Sequence, residues 1–386
     1  MELKLPTWAS APPAGYPGAV QPPAPKAAAG WQNGEEPPAG TFNWVFQAVS
    51  DVSNEVANAI VGAGHALDAA RTDQLLAAIQ TLIGRAQLKT ALTTLRVIHD
   101  TAVGPQTLAA LARAPGAAGR AIAVGTAATI QANGGPHTNF AAQTAAAPFT
   151  SDFNDITYDP TLGLFIAVGK AGEIQTSTGN GTWTRRATGG THFRKVLTNG
   201  LGLCVAVGEQ NLIKYSTEGT TWNTASAPPP FGSRTHSGLA CGAGVFVSVT
   251  ESSDIASSLD GSTWTVRRDV DFAGGSGVVV YDQALGFIFA GDSSEDVYRS
   301  ADGLAWTKIH DQVSVNGLVG SPYGWLGMAA SPDGTSVEGR YSSIAVDQPA
   351  DFIVDYLTSD QIRWMKFIDG QLWALGGTKI YLGGVL

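Results

Sequence analysis

A seven-residue hairpin that returns along the chain restricts its fold more than any other feature. It reads Ser258-Leu259-Asp260-Gly261-Ser262-Thr263-Trp264 and comes again as Ser300-Ala301-Asp302-Gly303-Leu304-Ala305-Trp306. Upstream it occurs as Ser216-Thr217-Glu218-Gly219-Thr220-Thr221-Trp222 and, in weaker form, as Ser177-Thr178-Gly179-Asn180-Gly181-Thr182-Trp183. Its tryptophans stand 39, 42 and 42 residues apart, a period that with an alternating β pattern between them indicates the blades of a propeller. Asp-Gly between extended apolar segments is a strong tight-turn signal, because glycine accepts the positive φ the turn demands. The Ser and Asp side chains can bond the turn's own backbone, and the Trp opens the returning strand with a large apolar surface. Residues Ser177, Trp183, Ser216, Trp222, Ser258, Asp260, Gly261, Trp264, Ser300, Asp302, Gly303 and Trp306 are therefore read as architecture rather than chemistry.

A second anchor aligns the repeats: an apolar strand ending in Ala-Val-Gly or a relative of it. It appears at 122–125, 166–169, 205–208, 247–250, 288–291, 326–329 and 373–376. Each is preceded by another short apolar strand and a turn, so a blade is four antiparallel strands with the Ser/Asp/Trp hairpin joining the third to the fourth. These anchors predict seven blades. The last blade runs out of sequence after Lys379-Ile380-Tyr381-Leu382, whereas Leu95-Arg96-Val97-Ile98-His99-Asp100 resembles the fourth strand Trp306-Thr307-Lys308-Ile309-His310-Asp311. Strand 95–100 is expected to fill the gap and remove an open edge. The fold class is thus mainly β: a seven-bladed β-propeller over residues 91–386, preceded by an extended Pro-rich arm over 1–42 and a short α-helical stem over 43–90.

Composition fits this reading. The chain is 44% hydrophobic and 14% charged, with 47 glycines, as many short strands and tight turns require. A net charge of −9 without a basic stripe argues against nucleic acid as a partner. The absence of 18 consecutive apolar residues argues against membrane insertion, and Met1 to Gly15 hold no run of signal-peptide length. Cys204 and Cys241 lie in apolar runs and are expected as buried free thiols.

The N-terminal region is different. Its Pro pairs at 12–13, 22–23 and 37–38 predict extended structure that cannot form its own core. From Asn43, Val45, Val49, Val52, Val56 and Ala59 recur at steps of 4, 3, 4 and 3, a heptad seam in which β-branched residues favour three strands; the same pattern also suits a helix packed on its own chain. A second helix is expected from about Ala66 to Ile83. The residues Leu5-Pro6-Thr7-Trp8-Ala9, Pro25-Lys26-Ala27-Ala28-Ala29-Gly30-Trp31, Gly34-Glu35, Pro37-Pro38-Ala39 and Phe42-Asn43-Trp44 resemble the virion-attachment region that opens many tail fibre and tail-tip proteins of tailed bacteriophages. That resemblance implies a virion protein made in the host cytoplasm, a homotrimer docked on a phage tail or baseplate protein through Trp8, Trp31, Phe42 and Trp44. It also implies a distal propeller that meets a host-surface glycan or protein.

The repeated hairpins resemble the Asp boxes of sialidases, with a loop one residue shorter. Sialidase chemistry needs three arginines converging on a carboxylate, and here Arg185-Arg186 and Arg267-Arg268 follow a blade's Trp and belong on outer strands. No zinc-site spacing and no phosphate loop is present, so neither catalytic residues, nor a metal, nor a cofactor is expected. His192, His236 and His310 read as separate loop residues. The loops from second to third strand and from fourth strand to the next blade open on one face, the former carrying acidic residues from Glu173 onward. There His192, Phe193, Phe231, Phe272, Glu251, Asp254, Asp292 and Asp296 form a candidate receptor surface, since aromatic faces stack on sugar rings and carboxylates accept hydroxyl hydrogens. Two readings of other classes stand beside the virion protein, a sialidase-like glycan-cleaving propeller and a bacterial assembly scaffold.

Overall fold

Apolar runs of four to seven residues separated by glycine-bearing turns become short strands, and the most apolar of these are buried from end to end. The computed structural model describes residues 95–101, 107–115, 119–134, 140–267, 277–282, 286–290, 297–310, 317–321, 324–330, 337–342, 362–369 and 371–385, with backbone alone over 317–342. The expected arm and stem, including Trp8, Trp31, Phe42, Trp44, Val45, Val49, Val52 and Val56, lie outside the described residues, as do Phe272, Asp292 and Asp296. Among the described residues there are 27 strands, one 3-10 turn (Lys170–Gly172) and no α-helix.

Strand β1 is Arg96–Asp100. The first sheet is β2 (Leu108–Arg113), β3 (Ala121–Gly125), β4 (Ile130–Ala132) and β5 (Ala141–Gln143). The second is β6 (Phe153–Asp159), β7 (Leu164–Gly169), β8 (Ile174–Ser177) and β9 (Thr184–Ala187). The third is β10 (Phe193–Thr198), β11 (Cys204–Gly208), β12 (Ile213–Ser216) and β13 (Asn223–Thr224). The fourth is β14 (His236–Gly242), β15 (Val245–Thr250), β16 (Ile255–Ser258) and β17 (Thr265–Val266). The fifth is β18 (Val278–Asp282), β19 (Gly286–Ala290), β20 (Val297–Ser300) and β21 (Thr307–His310). The sixth has three described strands, β22 (Gly317–Ser321), β23 (Gly324–Ala330) and β24 (Val337–Ser342). The seventh is β25 (Ile362–Ile368), β26 (Gln371–Gly376) and β27 (Lys379–Val385), and β1 is its fourth strand.

Strands pair antiparallel within each sheet, and β1 aligns Arg96 with Leu382 and Asp100 with Lys379. Thr378 Oγ1 donates to Asp100 Oδ1 at 2.6 Å and Thr101 N to Thr378 O at 3.0 Å, so side chain and backbone both fasten this strand. The first strands touch in order, β2 to β6, β10, β14, β18, β22 and β25, and β25 touches β2 again. They form a closed ring around a central channel. The second strands β3, β11, β15 and β19 are buried along their whole length, because a sheet stood between two others has no solvent face.

The hairpins hold neighbouring sheets together. At Gly261 the chain turns with φ +70°. Ser258 Oγ accepts from Gly261 N at 2.9 Å, Asp260 Oδ1 accepts from Ser262 N and Thr263 N at 2.8 and 2.7 Å, and Trp264 Nε1 donates to Gly261 O at 2.9 Å. A serine-to-glycine bond recurs in the other three hairpins, at 2.8 Å for Ser216, 2.9 Å for Ser300 and 3.0 Å for Ser177. Trp264 shares a cluster with Val205 and Val207 of the preceding sheet and Phe246 of its own. A Cβ on Gly261 would lie 2.8 Å from Tyr215 Cβ and from Val205 Cγ2, so glycine serves close contact as well as the turn. Trp183 joins its neighbour differently, donating from Nε1 to Gln143 Oε1 at 3.0 Å. Trp306 packs against the cluster of Val247 and Phe287, and its buried Nε1 has no hydrogen-bond partner among the described residues.

Gly261→Ala is expected to cost about 1–3 kcal/mol more than Gly244→Ala. The two glycines share a positive φ (+70° and +78°), while only Gly261 faces another sheet. Urea unfolding of the two variants measures the difference, and equal losses would remove the wedge.

Candidate functional site

The end of the ring at which the first strands begin is shaped by a repeated irregularity. The antiparallel register slips by one residue at Leu108/Ala110, Phe153/Asp155, Phe193/Lys195, His236/Gly238 and Ile362/Trp364. One extra residue, Ala109, Asn154, Arg194, Ser237 or Arg363, thus stands opposite no partner near the channel mouth. In the first three sheets the neighbouring strand is crowded at the same place. The glycine that ends each Ala-Val-Gly run approaches the entering chain so closely that a Cβ on Gly125, Gly169 or Gly208 would lie 2.1–2.2 Å from the carbonyl oxygen of Thr107, Asp152 or His192. Those oxygens accept from Thr126 N, Lys170 N and Glu209 N at 2.9–3.0 Å, and Thr235 O accepts from Glu251 N at 2.9 Å. The bond ties the loop after the second strand to the start of the first. In the fourth sheet Thr250 replaces the glycine, and its Oγ1 accepts from Ser252 N and Asp254 N at 3.2 Å.

Four of these extra residues, Ala109, Asn154, Arg194 and Ser237, line a cavity of about 400 Å³ together with Lys195, Thr235, His236 and Glu251. Asn154 Nδ2 donates to Phe193 O at 2.5 Å and Ser237 Oγ to Gly277 O at 2.7 Å, so the lining is braced from sheet to sheet. Arg194 Nη2 meets Glu209 Oε1 at 2.5 Å, an exposed ion pair. Below the rim Asp155 Oδ2 accepts from Val196 N at 3.0 Å, across the gap between the second and third sheets. Burial raises the Asp155 carboxyl above the usual range, against the opposing charges of Lys195 and Lys366. Burial likewise lowers the Lys366 ammonium, with Asp155 opposing the shift and Lys195 adding to it. Lys366 stands exposed to solvent on β25.

The cavity opens on the face that the sequence marks as the variable one, but through other residues. Of the expected receptor surface, Glu251 lines it and His192, Phe193, Phe231 and Asp254 do not. Phe193 and Phe231 are core residues at 1% and 9% exposure, not exposed aromatics, because the chain entering each first strand needs an apolar anchor. Asp254 is buried and pairs with Arg234. Glu173 is buried as well, accepting from Arg185 Nε at 2.7 Å and Gln175 Nε2 at 2.6 Å. His192 is half-buried and its Nδ1 accepts from Ala171 N at 3.1 Å. His236 is not a loop residue: it lies in β14, fully buried, with Nδ1 2.8 Å from Ser248 Oγ and Nε2 3.0 Å from Asn211 Oδ1. It borders the cavity, while both ring nitrogens are committed to the wall. His310 falls in β21 rather than in a loop.

Arg185 and Arg186 stand on the outer strand β9, as their place after Trp183 implies. Among the described residues no group of three His, Cys, Asp or Glu could hold a metal. Cys204 and Cys241 are free, and burial pushes both thiols up to about 12. Asn154, Arg194, Lys195, Ser237 and Lys366 belong to no sequence repeat and are not singled out by it. The one signal for Asn154, Arg194 and Ser237 is position, since each directly follows the residue that opens a first strand.

Radially packed sheets around a channel already suggest a propeller, and similarity to solved structures decides it. The virginiamycin B lyase of Staphylococcus aureus is similar at TM-score 0.62 and 11% identity, over 76% of this chain and 99% of that one. The chain folds as a β-propeller. YCF48 bound to D1 peptide is similar at TM-score 0.56 and 14% identity, over 76% of this chain and 96% of that one. YCF48 from Cyanidioschyzon merolae is similar at TM-score 0.55 and 11% identity, over 75% of this chain and 98% of that one. Identities this low establish the propeller and nothing about its ligand. No family model and no curated protein matches the chain.

Burial holds the His236 imidazole down at about 4, so it is neutral in the folded propeller at pH 7. An unfolded histidine gains a proton below about 6.5, and the folded one resists until about 4. Stability is therefore fully present above about pH 6.5 and falls as pH drops toward 4, by up to about 3 kcal/mol from this one group. His236→Asn is expected to flatten that part of the curve when urea unfolding at pH 7 and pH 5 is compared. A pH dependence identical to the native chain's would show that the ring does not titrate there.

Proposed function

We propose that this chain is a bacteriophage virion protein, a tail fibre or tail-tip component whose propeller binds the host surface at its channel mouth. The arm residues Trp8, Trp31, Phe42 and Trp44 support attachment to a tail or baseplate protein through their resemblance to phage virion-attachment regions. The seam of Val45, Val49, Val52 and Val56 supports a trimer. The observation that carries the binding role is the mouth itself, where Asn154, Arg194 and Ser237 stand out of their ladders and line one cavity.

A binding role suits these groups better than catalysis. The one histidine at the cavity has both ring nitrogens engaged, and a buried neutral imidazole held near 4 is a poor general base at neutral pH. Among the described arginines only Arg194 lines the cavity, which gives the sialidase-like reading no convergent set. Ligands are held by both kinds of similar propeller: one YCF48 structure is bound to D1 peptide, and a catalytically inactive virginiamycin B lyase is seen with quinupristin. For this chain the ligand proposed is a host-surface glycan or protein.

Antibody against the full chain is expected to label the tails of particles that encode it, and label-free particles would overturn the virion assignment. Within labelled particles Glu251→Trp, which fills the mouth from its rim, is expected to slow adsorption about tenfold, a loss of about 1.4 kcal/mol in binding, while the melting temperature stays unchanged. Adsorption at the native rate by a folded Glu251→Trp particle would move the receptor contact away from the mouth.

A further inference from the structure

Among the described residues below the mouth, two lysines, Lys195 and Lys366, stand against one carboxylate, Asp155. Lys195 and Asp155 occupy the same register position, directly after the slipped residue, in β10 and β6. Lys366 lies two residues further along β25, counted from its own slip. Between β25 and β6 stands β2, which offers Ala110 and Ala112 at these two levels, too short to screen Lys366 from Asp155. The three charges act on one another, and the two ammoniums repel. Neither ammonium makes an ion pair or hydrogen bond among the described residues, whereas the nearby Arg194 is already matched by Glu209. Among the described residues one carboxylate, itself occupied by Val196 N, thus stands against two unpaired ammoniums.

An anion completes such a cluster, because an ammonium without an acidic partner gains most from a charged hydrogen-bond acceptor. Low-dielectric walls also focus the field of Lys195 and Lys366 toward the opening. We propose that the channel is an oxyanion site, in which Lys195 and Lys366 take a carboxylate or phosphate group of the ligand. Glu251, exposed on the rim, repels the same anion and penalises ligands that carry charge along their whole length. The ligand class is then an acidic surface glycan that presents a terminal or isolated anion. This names the chemistry of the site proposed for receptor binding and rests on the mouth being where a ligand enters.

The test uses purified full-length chain and equilibrium dialysis at constant ionic strength against inorganic phosphate, glucuronate and glucose. Phosphate or glucuronate is expected to bind in the millimolar range or tighter, about tenfold or more better than glucose. The better of the two anions assigns the phosphate or the carboxylate source. Lys195→Gln and Lys366→Gln are each expected to weaken that binding about fivefold or more, and Glu251→Gln to tighten it, with melting curves reporting the fold. Should Lys366→Gln fail to fold, the half-buried Lys195 carries the comparison. Anions bound no better than glucose, or folded lysine variants binding as the native chain does, would overturn the site, and weaker binding by Glu251→Gln would contradict the repulsion assigned to the rim. Because the measurement needs neither particle nor host, it separates this inference from the virion assignment, which tail labelling decides.

Discussion

A sheet standing radially in a ring covers its two faces with its neighbours, but its outer edge needs a strand of its own, and in the seventh sheet that strand is β1 paired to β27. The inner edges fare differently, since they meet at the channel, where Asp155 and Asn154 bond the backbone of the next sheet. The closing strand comes from the other end of the described chain, with Asp100 lying 278 residues from its partner Thr378. One pairing therefore completes a sheet and ties both ends of the ring. The core beside it is made the same way: Trp373, Leu375 and Ile380 pack with Leu108, Leu111 and Ala121 of the first sheet.

Function follows from a second geometric demand. In the first three sheets the end of the second strand lies so near the entry of the first that a side chain there has no room, and glycine takes the place at 125, 169 and 208. The first strand slips by one residue at the same place, beside the channel mouth. The fold thus produces, at one end, a set of positions outside the ladder, where Asn154, Arg194 and Ser237 line the cavity. At the opposite end of the first strands Asp159 does the reverse: it is fully buried and binds Leu162 N, Gly202 N and Thr198 Oγ1, fixing the second sheet to the third. Both ends fasten the sheets, and the mouth also presents side chains to solvent.

Much of the architecture is legible in the sequence because the repeated element is local. Ser258, Asp260, Gly261 and Trp264 bond one another within seven residues, so their chemistry can be read directly, and the Ala-Val-Gly runs are recognisable by apolarity alone. The likeness of Leu95–Asp100 to a fourth strand is visible for the same reason. The site is not legible in this way. Lys195, Asp155 and Lys366 come within reach of one another's charge only because separate sheets converge on one axis, and the slips that set their register leave no mark in composition. His236 misleads in the opposite direction: a lone histidine near prolines and glycines looks like a loop residue, yet Ser248 and Asn211 make it part of a wall. Phe193 and Phe231 mislead likewise, since an aromatic in a variable segment can be its anchor to the core as well as its tip.

Hydrogen exchange of the backbone amides probes the role of β1 most directly. If the pairing with β27 closes the ring, the amides that β1 and β27 donate to each other exchange only as fast as global unfolding allows, with protection equal to that of the buried β3 and β11. Exchange of those amides within seconds while β26 and β3 stay protected would contradict this, for the ring would then stand without its clasp.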